Sequence, residues 1–300
     1  MAAALELQPP NSRTRVLRSA PDESAWELWE REPLPALRRI VRGLWAGGTA
    51  AGTARHRALP NGEVCLMLHV GPAQRAIESD GKSVSRLLDA GFVAGLQQRP
   101  YTIESMNRDT FVVAARIRPE CVAALFPRAT PAELVGQVES ASDLLGQAEA
   151  DELCGRMRET RSLGEALDRF EGWLLAHARP ERLPRDVTRA ASARIADASG
   201  NLRVGELSRE LGISTRRMNE LFQNEVGVRA KRVAKIARFR GTLGRLHAER
   251  PHELAGIALD HGYYDESHLY HDFRELALLT PTEYLTALGD GLDGPDVIGS

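Results

Sequence analysis

The chain repeats itself near its C-terminal end, and this repeat restricts the possible fold more than any other feature of its 300 residues. Val204–Gly212 (VGELSRELG), a short turn and Thr215–Glu225 are echoed by Glu253–Gly262 (ELAGIALDHG), a turn and Asp265–Leu276. Leu207 aligns with Ile257, Ser208 with Ala258, Gly212 with Gly262, Met218 with Leu269 and Phe222 with Phe273. The offset is 50 before the turn and 51 after it, so the second turn is one residue longer. Each copy reads as a short amphipathic helix, a glycine-containing turn and a second amphipathic helix, the helix-turn-helix pattern. The residue types suit that geometry. A small residue (Ser208, Ala258) lets the second helix cross the first closely. Glycine (Gly212, Gly262) accepts the left-handed backbone that ends a helix. Ser214 and Asp265 are placed to cap the N–H groups of the second helix. Met218, Leu221 and Phe222 then face a core and leave Arg216, Arg217, Asn219, Glu220 and Gln223 outward. The second copy buries Leu269 and Phe273 and presents Glu266, Ser267, His268, Tyr270 and His271.

Charge follows the repeat. The whole chain carries a formal −2, but Arg203–Arg245 holds 11 Lys/Arg against 4 Asp/Glu, a net of +7. Leu246–Leu288 holds 2 basic and 8 acidic residues, a net of −6. A basic block inside a near-neutral chain is the footprint expected of contact with nucleic acid.

From these residues outward the sequence resembles the AraC/XylS family of transcription regulators. The match covers Asp186–Leu288 and rests on ELSRELGISTRRMNELFQNEVGV, on a long linking helix near Arg229–His247, and on IALDHGYYDESHLYHDFREL…TPTEYL. The resemblance implies that each second helix enters a major groove of duplex DNA while the linking helix holds both readers on one face. The positions matching the family's base-contacting surface are Arg216, Arg217, Asn219 and Glu220, then Glu266, Ser267, His268 and His271. Gln223 joins them from its outward position. Lys231, Arg232 and Lys235 are expected to touch phosphate, a contact that fixes register without reading sequence. The chain departs from the family at Ala230, where proline is usual, at Leu278, where glycine is usual, and at Glu220, where a basic residue is common. The first two positions read as loops.

The first half has a different texture. Short apolar runs (Ile40–Trp45, Val64–Val70, Phe92–Leu96, Tyr101–Met106, Phe111–Ile117) alternate with turn residues such as Pro60-Asn61-Gly62 and Ser79-Asp80-Gly81, so Leu37–Arg118 reads as β. Three strings, LPNGEVCLMLHVG, FVAGLQQRPYTIE and RIRPECVAALF, resemble a cupin-like sensor barrel. Helical spacing of Leu163, Leu167, Phe170, Trp173 and Leu174 follows, and Pro180 and Pro184 mark a linker over Arg179–Arg185. The expected fold class is therefore α+β: a β-rich cupin-like barrel with trailing helices over residues 1–180, a double helix-turn-helix domain over 185–288, and a flexible tail over 289–300.

No apolar run approaches the length of a membrane span and no signal peptide precedes residue 15, so the chain reads as cytoplasmic with no membrane partner. Cys65, Cys121 and Cys154 form no CxxC pair, and buried core thiols are expected. His56 and His69, the histidines of the β-rich part, do not make the ligand cluster of a metal cupin. His268 and His271, three apart, lack an evident third ligand, so no metal is expected. Gln97 and Gln98 beside Tyr101 suit either a pocket lining or plain surface, and Trp26, Trp29 and Trp45 suit a core or an interface. No catalytic constellation is visible. The expectation is a non-enzymatic, sequence-specific transcription factor, without cofactor, whose first half senses a small-molecule effector or forms a homodimer. RNA polymerase is a further partner if the protein is an activator. The alternatives are a cupin-type enzyme carrying a reader, a repair protein with a transferase cysteine, and an interaction adaptor whose acidic second unit binds protein.

Overall fold

Strand-forming sequence comes first in the chain and helix-forming sequence after it. The computed structural model describes residues 12–18, 26–49, 55–70, 74–78, 86–88, 91–105, 110–249 and 254–289. The turn expected at Ser79-Asp80-Gly81, the strand end at Met106 and the tail 290–300 lie outside the described residues. Eleven described strands run β1 Thr14–Arg18, β2 Trp26–Arg31, β3 Val41–Thr49, β4 Arg55–Ala58, β5 Val64–Val70, β6 Gln74–Glu78, β7 Arg86–Leu88, β8 Gly91–Ala94, β9 Tyr101–Ser105, β10 Thr110–Ile117 and β11 Val138–Ser140. They pair antiparallel into a seven-stranded sheet, β1-β2-β3-β10-β5-β8-β11, and a four-stranded sheet, β4-β9-β6-β7. The fold is of the expected α+β class, two antiparallel sheets followed by helices.

Register decides what the large sheet buries. Ala114 of β10 sits opposite Trp45 of β3 and Met67 of β5, so those three share one face. Leu44, Ala46, Leu66, Leu68, Val113 and Ala115 share the other, all fully buried against the helices that follow. Cys65, Phe92, Ala94 and the small sheet's Tyr101 form a second apolar cluster between the two sheets.

Two strands begin earlier than expected. The sequence reads as β only from Leu37, yet β1 and β2 extend the sheet upstream. β1 carries two arginines and β2 two glutamates and an arginine, and ion pairs help hold this edge of the sheet. Arg13 donates to Glu171 at 3.0 Å, and the buried guanidinium of Arg31 pairs with Asp168. Glu171 is itself 2% exposed and lies on a helix 140 residues downstream of Arg31.

The described helices are α1 Val122–Leu125, α2 Pro131–Leu134, α3 Ala141–Leu145, α4 Gln147–Arg158, α5 Leu163–His177, α6 Asp186–Asp197, α7 Val204–Glu210, α8 Thr215–Glu225, α9 Ala230–Glu249, α10 Leu254–Asp260, α11 Glu266–Ala277 and α12 Pro281–Gly289. Ser162 caps α5 by accepting from the Glu165 N–H at 3.1 Å, and the helix lays Leu167, Phe170 and Leu174 on the sheet. The expected linker contains a 3-10 turn, Pro180–Arg182, with no buried residue. The apolar core nevertheless continues past it. One cluster runs from Leu134 and Phe126 to Met218, Phe222, Val226 and Val228, so the first helix-turn-helix packs directly on the β-rich half.

Trp29 lies in that core. All three cysteines are buried. Burial pushes the Cys65 and Cys121 thiols up to about 12 and Cys154 up to about 11, the opposite of an activated nucleophile. Gln97 is neither surface nor free to meet a ligand. Its amide donates to the carbonyls of Gly95 and Gln137 at 3.1 and 2.8 Å, holding β11 beside the end of β8.

Candidate nucleic-acid interface

The two repeats build the same turn. Helix α7 ends with Gly212 at φ +68°, whose N–H donates to the Arg209 carbonyl at 3.1 Å while Ile213 N–H reaches the Ser208 carbonyl at 3.0 Å. Helix α10 ends with Gly262 at φ +73°, donating to Leu259 at 3.0 Å, and Tyr263 reaches Ala258 at 2.9 Å. Both are Schellman closures, in which the left-handed residue satisfies two carbonyls that the helix leaves open. Ser208 and Ala258 are buried, as a close helix crossing requires.

Each second helix is capped as its sequence suggests. Ser214 Oγ accepts from the Arg217 N–H at 3.1 Å, and Asp265 Oδ1 accepts from the His268 N–H at 2.8 Å. Met218, Leu221 and Phe222 pin α8 to the core, and Leu269 and Phe273 pin α11. Opposite these anchors α8 exposes Arg216, Arg217, Glu220 and Gln223, with Asn219 half-buried. Helix α11 exposes Glu266, Ser267 and His271.

Side-chain partners separate these residues further. Glu220 bridges both arginines, at 3.1 Å from Arg216 Nε and 3.4 Å from Arg217. The hydrogen bonds from those guanidiniums hold its carboxyl below the usual range. Gln223 donates its amide to the Gly227 carbonyl at 2.9 Å and so closes the end of α8. His268 is drawn inward: its Nδ1 accepts from the Tyr264 N–H at 3.3 Å, and its ring meets the Tyr263 ring edge-on at 5.2 Å. His271 is 74% exposed.

The linking helix α9 carries the basic residues, and they divide into two groups. Lys231 is exposed. Arg232 instead pairs with Glu275 of α11 and donates to the Gln98 carbonyl of the β-rich half at 3.2 Å. Lys235 sits 2.7 Å from Asp272 and 2.6 Å from Glu275. Burial pushes the Glu275 carboxyl up, but hydrogen bonds from Lys235 and Arg232 outweigh it and bring it down to about 2. Arg238 donates to the Gly262 carbonyl at 2.8 Å and lies 5.0 Å over the Tyr263 ring. Arg232 and Lys235, expected on phosphate, instead form a clamp that holds α11 against α9. Their partners, Asp272 and Glu275, lie some forty residues away, and the partners of such a charge are invisible in a linear pattern.

A candidate ligand group forms around His271, but it does not include His268. His271, Asp272 and Glu275 have ligand atoms within 4.8 Å of one another, the one such group of three among the described residues. The Lys235 ammonium already lies against both carboxylates and supplies the cation they need.

Of the three departures from the family pattern, the two expected in loops, Ala230 and Leu278, have a visible place. Ala230 is not in a loop: it is the buried first residue of α9, a position that proline also suits. Leu278 takes the left-handed conformation, φ +56° and ψ +22°, that glycine would adopt without strain. The closing string TPTEYL is a capping box. Thr280 Oγ1 accepts from the Glu283 N–H at 3.1 Å and Glu283 accepts from the Thr280 N–H at 2.6 Å. It delivers Tyr284 to His247 Nε2 at 2.5 Å and into an edge-type contact with the Phe273 ring.

Residues 207–287 match the profile of a family described as "Helix-turn-helix domain". A search of curated proteins gave no match. Among solved structures the chain is similar to ToxT from Vibrio cholerae, at 14% identity and a TM-score of 0.44, covering 78% of this chain and 97% of that one. An unsaturated fatty acid-bound form of ToxT is similar at 12% identity, 93% and 97% coverage and a TM-score of 0.43. Oxalate decarboxylase from Bacillus subtilis is similar at 13% identity over 49% of this chain and 43% of that one, with a TM-score of 0.25.

Proposed function

We propose, from the premise that the C-terminal unit is an AraC-type helix-turn-helix domain, that this chain is a transcription regulator reading duplex DNA with α8 and α11. The carrying observation is that one helix pair is built twice, each time with the first turn of its second helix capped, exposed and anchored from behind. That arrangement presents side chains to a major groove without further rearrangement. Arg216 and Arg217 are the principal base readers in this account, because arginine pairs bidentately with guanine. Asn219, Glu266, Ser267 and His271 support them. Lys231 takes phosphate, whereas Arg232 and Lys235 position α11 and Gln223 closes α8.

The β-rich half then serves as the sensor. What supports a ligand there is His69, 1% exposed, on the face of β5 that looks toward Phe92 between the two sheets. Neither ring nitrogen has a hydrogen-bond partner among the described residues, and a buried polar group left so favours a ligand that supplies one. A second copy of the chain and RNA polymerase are the macromolecular partners of this reading.

A mobility-shift titration of the full chain on the DNA upstream of its own gene tests it. Binding should fall by roughly 10³-fold or more between 50 and 200 mM salt if about six phosphates are contacted. An affinity flat across that range would overturn the proposal and favour the adaptor reading, for which the −6 segment around α11 is the supporting observation. No described helix is long and apolar enough to cross a membrane.

A further inference from the structure

The turn of the second unit is one residue longer than that of the first, and the backbone bonds identify the extra residue. Gly212 and Gly262 close the two turns alike, and the next residues, Ile213 and Tyr263, donate back to the first helix at 3.0 and 2.9 Å. Ser214 caps α8 directly after Ile213, whereas Tyr264 stands between Tyr263 and Asp265, the cap of α11. Tyr263 is buried, but Tyr264 is 87% exposed, the most exposed large apolar side chain among the described residues. Its backbone is tied to the helix it precedes, because its N–H donates to His268 Nδ1 at 3.3 Å. The ring is therefore mounted at the N-terminal end of α11, the end that a helix-turn-helix turns toward base edges.

Other positions superposed by the repeat differ in the same direction. Ser267 and His268 of α11 stand where α8 has Arg216 and Arg217, and Leu259 of α10, 64% exposed, stands where α7 has the exposed Arg209. At these positions the second unit has no guanidinium to pair with guanine, and His268 is occupied in holding Tyr264. It presents apolar surface instead, within a segment whose net charge of −6 phosphate repels. The apolar feature that a major groove offers is the C5-methyl group of thymine.

We propose that Tyr264 is a base reader of the second unit and that its ring packs on the methyl group of a thymine. The second half-site is then selected by apolar contact, where the first is selected by charge-assisted hydrogen bonds to guanine. This inference rests on the regulator reading and adds to it a residue and the base that the residue recognises.

In the test, the full chain selects duplexes from a randomised pool, and each thymine of the best duplex is replaced in turn by deoxyuridine, which removes only the methyl. Replacement at one or two positions should weaken binding by about three- to tenfold, the scale of one buried methyl contact. Tyr264→Ala should weaken binding of the unmodified duplex by about tenfold and be indifferent to those same replacements. Tyr264→Phe should keep both the affinity and the sensitivity. Substitution at so exposed a site leaves folding nearly unchanged, and since no ion pair is lost, the salt slope of Tyr264→Ala should match that of the unaltered chain. Insensitivity to deoxyuridine at every thymine, undiminished binding by Tyr264→Ala, retained deoxyuridine sensitivity in that variant, or a shallower salt slope in it would each overturn the proposal. Failure of the unaltered chain to select any duplex would count against the regulator reading instead.

Discussion

At the scale of single residues, charge partners determine what each candidate can do. Arg216 and Arg217 are both exposed, but each leans on Glu220, so under the proposed function DNA competes with a carboxylate on the same helix. Arg216→Ala or Arg217→Ala is expected to cost about 1–3 kcal/mol of specific binding, the range of a bidentate base contact. Glu220→Gln should act oppositely, tightening binding by releasing both arginines and removing a charge that phosphate repels. Titrating all three variants on one operator at fixed salt checks this, and weaker binding by Glu220→Gln would show that Glu220 itself reads a base. His69 gives a prediction of a different kind. Burial lowers its pKa from 6.5 to about 3, so the unfolded chain binds a proton that the folded chain refuses. Stability should therefore fall as pH drops from about 6.5 toward 3, by up to about 1.4 kcal/mol per pH unit from this group. His69→Leu should flatten that limb in urea unfolding measured between pH 7 and 4. An unchanged slope would assign the acid sensitivity elsewhere.

At the scale of elements, the second helix-turn-helix differs from the first in how it is held. Helix α8 sits on the apolar core, whereas α11 is also tied to α9 through Lys235, Asp272, Glu275 and Arg232. Asp272 is fully buried. Lys235→Met should leave it as an uncompensated buried charge and destabilise the protein by about 3–5 kcal/mol. Adding Asp272→Leu should recover much of that loss, which a double-mutant cycle by denaturant unfolding measures. In the single variant the Glu275 carboxyl, now near 2, should titrate higher. Glu275 contributes stability above its unfolded pKa, near 4.5, and loses it as pH falls toward 2. If Lys235→Met left folding intact and only weakened DNA binding, with a shallower salt slope, its role would be phosphate contact after all.

At the scale of the whole molecule, the two halves share an interior. Gly227, at φ +89°, lies so close to α2 that a Cβ would stand 2.8 Å from the Pro131 carbonyl. Arg57 of β4 donates to the Ala277 carbonyl at 2.6 Å, at the far end of the second reading helix. With Arg232 on Gln98 and Arg240 on Glu63, the β-rich half thus grips the first helix-turn-helix, the linking helix and α11. A fragment from Arg185 to Gly289 uncovers Val226 and Val228. It should bind the same DNA with the same salt slope but melt below the full chain, as circular dichroism would report. A fragment melting as high as the full chain would show that the docking contributes nothing to stability.

The repeat, its glycine turns, its N-caps and the buried and exposed faces of α8 and α11 were all legible in the amino-acid sequence. Each depends on residues within one or two helical turns, where spacing along the chain is spacing in space. Central strands such as Val64–Val70 were legible for the same local reason. Strands β1 and β2 were not, because the ion pairs that help hold them join Arg13 and Arg31 to a helix far downstream. Nor was the clamp of Arg232 and Lys235 on α11, or the inward turn of His268. A long cationic side chain looks the same in sequence whether it meets phosphate, water or a carboxylate. Only the tertiary structure, by bringing distant charges within hydrogen-bonding reach, decides which.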